Sequence, residues 1–335
     1  MRLADFLYDL PEELIAQEPL ADRSASRLLV LHRKTGDIEH LSFTDAPNLL
    51  QKGDLLVMND TRVTALRLIG KRATGGQVEA LLLHDEGGGR FVALTRPAKK
   101  LRLGEAIDFE GGLQAVIEDD LTEGKKRIAF HQVDYAHRIK TIGITPLPPY
   151  IHTQIEDPGR YQTVYAQTAG SAAAPTAGLH FTNETLQQLK TNGIDTATVT
   201  LDVSLDTFRP IGTVNVEDHV MHGERCSVPG ETAQAIKRCE GRVFAVGTTT
   251  VRTLETFANS RHEVAQGETV SKLFITPGHE FRAVDAMFTN FHLPGTTLML
   301  LVSAFAGREN VLRAYKEAVE KRYRFLSFGD AMLIK

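Results

Sequence analysis

The sequence predicts an α/β domain interrupted by a smaller all-β domain, and three observations carry that expectation. Glycine is concentrated in one stretch: 11 of the 27 in the chain fall between residues 67 and 150. They come in pairs and triplets that separate short apolar runs, the pattern of strands joined by tight turns. A proline cluster, Pro146-Leu147-Pro148-Pro149, follows that stretch. Proline fixes φ and biases the residue before it to extended backbone, so the cluster reads as a stiff linker. The chain on either side instead mixes helical spacing with short apolar strands. The expected division is therefore a discontinuous larger domain, 1–66 with 151–335, around an inserted domain, 67–150. Two domains also suit 335 residues at ~150 residues per domain.

The elements follow in chain order. Residues 55–58 form a short apolar run. Within the insertion the apolar runs are 78–83, 91–94, 113–117 and 127–130, separated by Gly75-Gly76, Gly87-Gly88-Gly89 and Gly111-Gly112. Beyond the linker, 182–192 reads as a helix capped by Thr182 or Asn183 and stopped by Gly193. Residues 196–203 alternate, with Val199, Leu201 and Val203 on one face. Residues 231–240 and 250–258 have helical character around a strand at 242–246. Val311, Leu312, Tyr315, Ala318, Val319 and Tyr323 recur at helical spacing before a final apolar run to Ile334. The two ends of the chain are placed to pair and close the larger domain.

Composition narrows the function. Hydrophobic residues make up 42% and charged residues 24%, with mean hydropathy −0.17, which excludes a disordered or collagen-like chain. The net charge of −4 provides no global field for nucleic acid, so any RNA contact must use a local patch. The two cysteines, Cys226 and Cys239, form no C-x-x-C pair; a disulfide framework is excluded and a cytoplasmic setting is expected. The opening MRLADFLYDLPEEL carries acids where a signal peptide needs a basic start. The longest apolar stretch, 298–306, is far short of the ~20 residues of a membrane span.

Common cofactor motifs are missing. No G-x-x-x-x-G-K-[ST] phosphate loop, no G-x-G-x-x-G after a strand, and neither H-E-x-x-H nor a cysteine quartet occurs. Five polar clusters remain. His219-Val-Met-His222-Gly-Glu224 is compatible with a cation site, a shared proton, or hydrogen-bonded residues at a domain seam. Val246-Gly247-Thr248-Thr249-Thr250 sits where a strand hands over to a helix; its freed N–H groups and hydroxyls suit a carboxylate or phosphate, or simply cap the helix. Arg252 and Glu255 lie about one turn further on and could be a surface pair. In 170–182, small residues admit close approach before His180 and Phe181, or merely form a loop into a helix. Asn290, Phe291 and His292 form an amide–aromatic–imidazole cluster, and Asn59-Asp60-Thr61-Arg62 follows an apolar strand, where a turn is the plainer reading.

Taken together, these segments resemble the S-adenosylmethionine:tRNA ribosyltransferase-isomerases of queuosine biosynthesis. The matching strings are DLPEELIAQ (9–17), PLPPYI (146–151), RYQTVYA (160–166), GSAAAPTAGLHFT (170–182), HVMHGE (219–224), VGTTTVRTLE (246–255), TNFHLP (289–294) and YRFLSFGDAMLI (323–334). They occur in family order over essentially the whole chain. The resemblance implies an α/β larger domain built around a β-barrel with surrounding helices, interrupted by a smaller β-barrel. It implies transfer and isomerisation of the ribosyl group of S-adenosylmethionine onto 7-aminomethyl-7-deazaguanine at the tRNA wobble position. The products are epoxyqueuosine, adenine and methionine. S-adenosylmethionine is then a consumed substrate, and neither cofactor nor metal is expected.

That chemistry asks for a base near the sulfonium, a proton donor for adenine, and N–H or hydroxyl donors for a carboxylate. On residue chemistry, His180 and His222 are the acid–base candidates, with Asp330 orienting or accepting a proton. Thr248 and Thr249 suit the methionine carboxylate, and Phe181 or Phe208 suits stacking. Asn59, Asp60, Arg62, Thr176, Gly178, His219, Gly247, Arg252, Asn290 and His292 complete the expected substrate contacts. The run Arg96-Pro-Ala-Lys99-Lys100-Leu-Arg102, four cations and no acid in seven residues, is the expected tRNA patch through Lys99, Lys100 and Arg102. A monomer is expected. Two departures stand out. Where the family reads T-L-H-V-G-x-G-T-F, this chain has Asp202, Ser204 and Asp206, so strain or a reshaped site is expected there. After TNFHLP, Gly295 and Thr296 replace a charged residue and a serine. The competing readings are a paralogue acting on another acceptor and an inert tRNA-binding module.

Overall fold

The computed structural model describes residues 1–121, 124–204, 207 and 210–335. The chain divides into two compact units. The first comprises 1–62, 148–168 and 174–335; the second comprises 63–147 and 169–173.

The first unit opens with β1 (Arg27–Leu31), β2 (Ile38–Ser42) and β3 (Leu55–Asn59). A short ladder is formed by β4 (Thr61–Val63) and, later, β11 (Thr168–Ser171). The second unit contains β5 (Leu66–Arg72), β6 (Gln77–Gly87), β7 (Arg90–Arg96), β8 (Ala106–Phe109), β9 (Gln114–Asp120), β10 (Lys125–Phe130) and helix α1 (Tyr135–Ile142). These six strands close into an antiparallel barrel in the order β10-β7-β6-β5-β8-β9. Leu68, Ala80, Ala93, Ile107, Ala115 and Ile128 fill its interior. Small alanines beside larger aliphatics suit so narrow a barrel. Gly89 has φ +81°, and a Cβ there would lie 2.3 Å from the Phe130 carbonyl oxygen. Gly89 is thus a steric requirement of the β6–β7 turn.

The rest of the first unit follows as α2 (Asn183–Thr191), β12 (Asp195–Leu201), β13 (Glu224–Val228), α3 (Gly230–Arg238), β14 (Val243–Val246) and α4 (Thr248–Phe257). Then come the short pair β15 (Ala258–Ser260) and β16 (Glu263–Val264), β17 (Gly267–Ser271), β18 (Ala286–Asn290), α5 (Thr297–Ala306), α6 (Arg308–Glu320) and β19 (Ala331–Ile334). One nine-stranded sheet runs β17-β13-β12-β3-β14-β18-β19-β1-β2. Its centre, β12-β3-β14-β18, is parallel. β19 pairs in parallel with β1, so the two ends of the chain meet in the sheet.

At β1, β3 and β14 both faces of the sheet are buried. Leu29, Leu31, Leu55, Val57 and Ala245 enter one core cluster; Leu28, Val30, Leu56, Met58 and Phe244 enter the other. A sheet covered on both faces reads as a continuous apolar run, as residues 55–58 do. Covering by helices also removes the need for closure. Among the described residues β17 and β2 end the sheet without pairing with each other, so the barrel implied for the larger unit takes the form of a sheet open between these two edges. The 298–306 stretch is α5, buried on every side and therefore without amphipathic spacing. Among the described residues no helix is long and apolar enough to cross a membrane.

Candidate active site

Four parallel strands deliver the site. β3 ends at Asn59, β12 at Leu201, β14 hands over to Gly247, and β18 ends at Asn290. The crevice outside the carboxyl ends of such strands is where open α/β sheets bind ligands. A cavity of about 570 Å³, counting space open to solvent, lies there. Its wall takes Thr176 and Ala177 from one loop and Gly247, Thr248 and Thr249 from the start of α4. Asn290, Phe291 and His292 follow β18, and Leu326 and Ser327 come from the last loop. None of its described lining residues carries a carboxylate, ammonium or guanidinium.

Gly247 holds φ +86° and ψ 155° at the start of α4, a conformation that disfavours any side chain. The N–H groups of the first helical turn have no intrahelical acceptors and face the positive end of the helix dipole. Thr248 and Thr249 are buried at the wall. Asn59 fixes this helix start: its Nδ2 donates to Thr249 Oγ1 at 3.2 Å and to the Leu201 carbonyl at 3.1 Å. Its Oδ1 accepts from the N–H groups of Thr61 and Leu201. Asn59 is thus a clamp behind the wall, with its polar atoms used within the protein.

The two buried histidines differ. His292 lines the cavity, and its Nε2 lies 2.7 Å from Thr289 Oγ1. No protein partner reaches its Nδ1 among the described residues, and burial pushes its pKa down to about 3. His180 has both nitrogens engaged, Nδ1 with Ser26 Oγ at 2.8 Å and Nε2 with Asn290 Nδ2 at 3.2 Å. It lines a smaller cavity of about 300 Å³ with Arg23 and Arg160, which shares Ser327 with the first. Burial, then the charges of Arg324 and Arg23, push its pKa down to about 3. Residue chemistry offers His180, with His222, as an acid–base candidate. The structure instead gives it a fixed neutral ring supporting Asn290.

Asp330 is 2% exposed and lines none of these cavities. Its carboxylate accepts from the Arg27 N–H at 2.9 Å, Arg27 Nε at 3.1 Å and the Arg324 N–H at 2.8 Å. It therefore ties down the loop carrying Leu326 and Ser327. Leu326 has φ +68°, a strained value for a leucine. Its carbonyl accepts from the Gly329 N–H and from Asn290 Nδ2 at 2.9 Å. Asp330 thus holds the backbone of Arg27 and Arg324 together with the Arg27 guanidinium.

A third cavity, of about 610 Å³, meets the first at Thr207 and is lined by Ser204, His219, His222, Glu224 and Arg252. Glu224 and Arg252 form a buried ion pair. Glu224 Oε1 also accepts from the Ser204 N–H at 2.9 Å and Thr207 Oγ1 at 2.7 Å. His222 is exposed, whereas half-buried His219 packs edge-on against Phe274, and burial, then His222, lowers its pKa. Among the described residues no three His, Cys, Asp or Glu side chains are grouped to hold a metal ion. Ser204 is not among the non-glycine residues with positive φ. The strain expected there is absent because its backbone is ordinary and its N–H is bonded. Asp202 is paired with Arg225 at 2.9 Å.

Other expected contacts lie elsewhere. Phe181 is 1% exposed and packs on Phe43 and Phe288, so it is core and has no face for a ligand. Gly178 makes room for Tyr165, whose hydroxyl would lie 2.0 Å from an added Cβ. Asp60 is bonded to Thr200 at 2.7 Å, and Arg62 is exposed. Phe208 and Asp206 lie outside the described residues. Lys99, Lys100 and Arg102 are exposed on the second unit and form no ion pair among the described residues. Sequence reasoning missed Ser26, Thr289, Leu326 and Ser327 as site residues. Only proximity to histidine-bearing or aspartate-bearing strings marked the last three, and nothing local marked Ser26.

A family described as "Queuosine biosynthesis protein" matches residues 3–334. An S-adenosylmethionine:tRNA ribosyltransferase-isomerase of Symbiobacterium thermophilum is 52% identical, and one of Natranaerobius thermophilus 49%, each over the full length of both chains. The crystal structure of an S-adenosylmethionine tRNA ribosyltransferase from Thermotoga maritima is 39% identical, with TM-score 0.57, over 99% of this chain and all of that one. With the matching strings gathered at the strand ends and the match running almost end to end, the chain belongs to the queuosine biosynthesis protein family.

Proposed function

We propose that this chain transfers and isomerises the ribosyl group of S-adenosylmethionine onto 7-aminomethyl-7-deazaguanine at the wobble position of a tRNA, releasing adenine and methionine. The observation that carries this reading is the uncharged, partly open cavity at the strand ends, walled by five of the family strings at once. A neutral purine and its sugar suit such a wall. The methionine carboxylate suits the N–H groups at the start of α4, beside Thr248 and Thr249. His292 is the imidazole inside that cavity with a nitrogen left for a ligand, so it replaces His180 as the proton-exchanging candidate. His222 and His219 stand at the neighbouring cavity, where the modified base would approach. Arg252 and Glu224 set the charge there.

S-adenosylmethionine enters as a substrate, so no resident cofactor is needed for this scheme. Release of free adenine tests it. The protein incubated with S-adenosylmethionine should release adenine only when tRNA bearing the modified base is present. Adenine release without tRNA, or none with it, contradicts the reading. In the same assay His292→Ala should lower turnover at least ~100-fold, the usual scale for losing a proton-transfer group.

A further inference from the structure

Asn290 holds a hydrogen-bond polarity that the protein itself does not use. It is 2% exposed, lines the cavity at the strand ends, and its Oδ1 is buried with no partner. Its amide orientation follows from its neighbours. The Leu326 carbonyl, 2.9 Å away, can only accept, so Nδ2 must face it. The second N–H of the same group then points to His180 Nε2 at 3.2 Å, which must offer a lone pair. The imidazole proton therefore sits on Nδ1 and is donated to Ser26 Oγ at 2.8 Å. Burial, then the charges of Arg324 and Arg23, keeps the ring from taking a second proton. Every donor of the amide is committed away from the ligand, and the carbonyl alone is left.

Resting on the ribosyltransferase reading above, we propose that Asn290 Oδ1 is the acceptor for the exocyclic amino group of the adenine ring, making Asn290 a specificity-determining residue. His180 and Ser26 are positioning residues that fix its polarity. The choice of an amino group follows from the wall. A neutral aromatic amine needs one good acceptor, and Asn290 Oδ1 is a buried acceptor with no partner. A 6-oxo purine would place a carbonyl against the Asn290 carbonyl and leave both unpaired.

The test compares binding of S-adenosylmethionine and its 6-oxo analogue, made by deamination of the purine, to the full-length protein in the presence of tRNA. Wild type should bind the amino form at least about tenfold tighter, the loss expected for an unmet buried acceptor. Asn290→Leu should bring the two within about twofold. His180→Leu should narrow the gap, and His180→Gln, whose side-chain carbonyl can accept from Asn290 Nδ2, should restore it. A general structural defect would weaken both ligands alike and leave the ratio unchanged. Equal binding by wild type, or a gap that survives Asn290→Leu, overturns the proposal; the wild-type comparison stands even where a variant fails to fold. Ribosyl transfer to tRNA is read separately. Normal transfer without amino selectivity removes only this inference, whereas selective binding without transfer removes only the proposed reaction.

Discussion

At the residue scale, the site is built from polar groups held neutral. His180 and His292 are both buried, with pKa values pushed down to about 3, against ~6.5 for an unfolded histidine. The unfolded chain therefore binds more protons than the folded one between these values, and stability falls as pH drops below about 6.5. Each histidine should cost up to about 1.4 kcal/mol per pH unit in that window. Urea titrations from pH 7 to 4 should show this loss, and His292→Gln should reduce its slope; an unchanged slope contradicts the assignment. Residue types alone could nominate His180, Asn290 and His292, because imidazole and amide beside small residues are chemically conspicuous. They could not say which histidine has a free nitrogen. That depends on Ser26, 154 positions away, and on a carbonyl in the final loop.

At the scale of elements, function rests on two backbone devices at strand ends: the positive-φ glycine that starts α4, and the loop 324–330 bound to Asp330. Removing the carboxylate in Asp330→Ala leaves the N–H groups of Arg27 and Arg324 unmet, about 1–3 kcal/mol of destabilisation. A lower thermal midpoint should accompany weaker binding of S-adenosylmethionine, since Leu326 and Ser327 move with the loop. Loss of activity at unchanged thermal midpoint and unchanged binding would instead favour a direct chemical role for Asp330. Elements with a clean period were readable: Thr182 caps α2, accepting from the Thr185 N–H at 3.1 Å, and α6 follows the spacing of Val311, Tyr315 and Ala318. α5 has no polar face to reveal a period. β5 and β8 were hidden because their apolar residues are few and interrupted by charge. Phe181 misled for a related reason, since a buried core aromatic and a stacking aromatic look alike in sequence.

At the scale of the whole molecule, an acidic protein must present its cations locally to bind RNA. Lys99, Lys100 and Arg102 are exposed and carry no ion pair among the described residues, so they can release counterions from phosphate. Changing all three to Glu should weaken tRNA binding and flatten its dependence on salt while leaving S-adenosylmethionine binding intact; unchanged tRNA affinity at low salt moves the RNA site to the larger unit. The measurement that bears most directly on the proposed reaction follows two labels. S-adenosylmethionine carrying carbon label in the ribose, or in the methyl group, is incubated with the protein and tRNA bearing 7-aminomethyl-7-deazaguanine. Ribosyl transfer predicts that the ribose label enters tRNA while the methyl label leaves on free methionine, because the sulfur departs from the sugar. Methyl label in tRNA, or both labels remaining in intact S-adenosylmethionine, would contradict it.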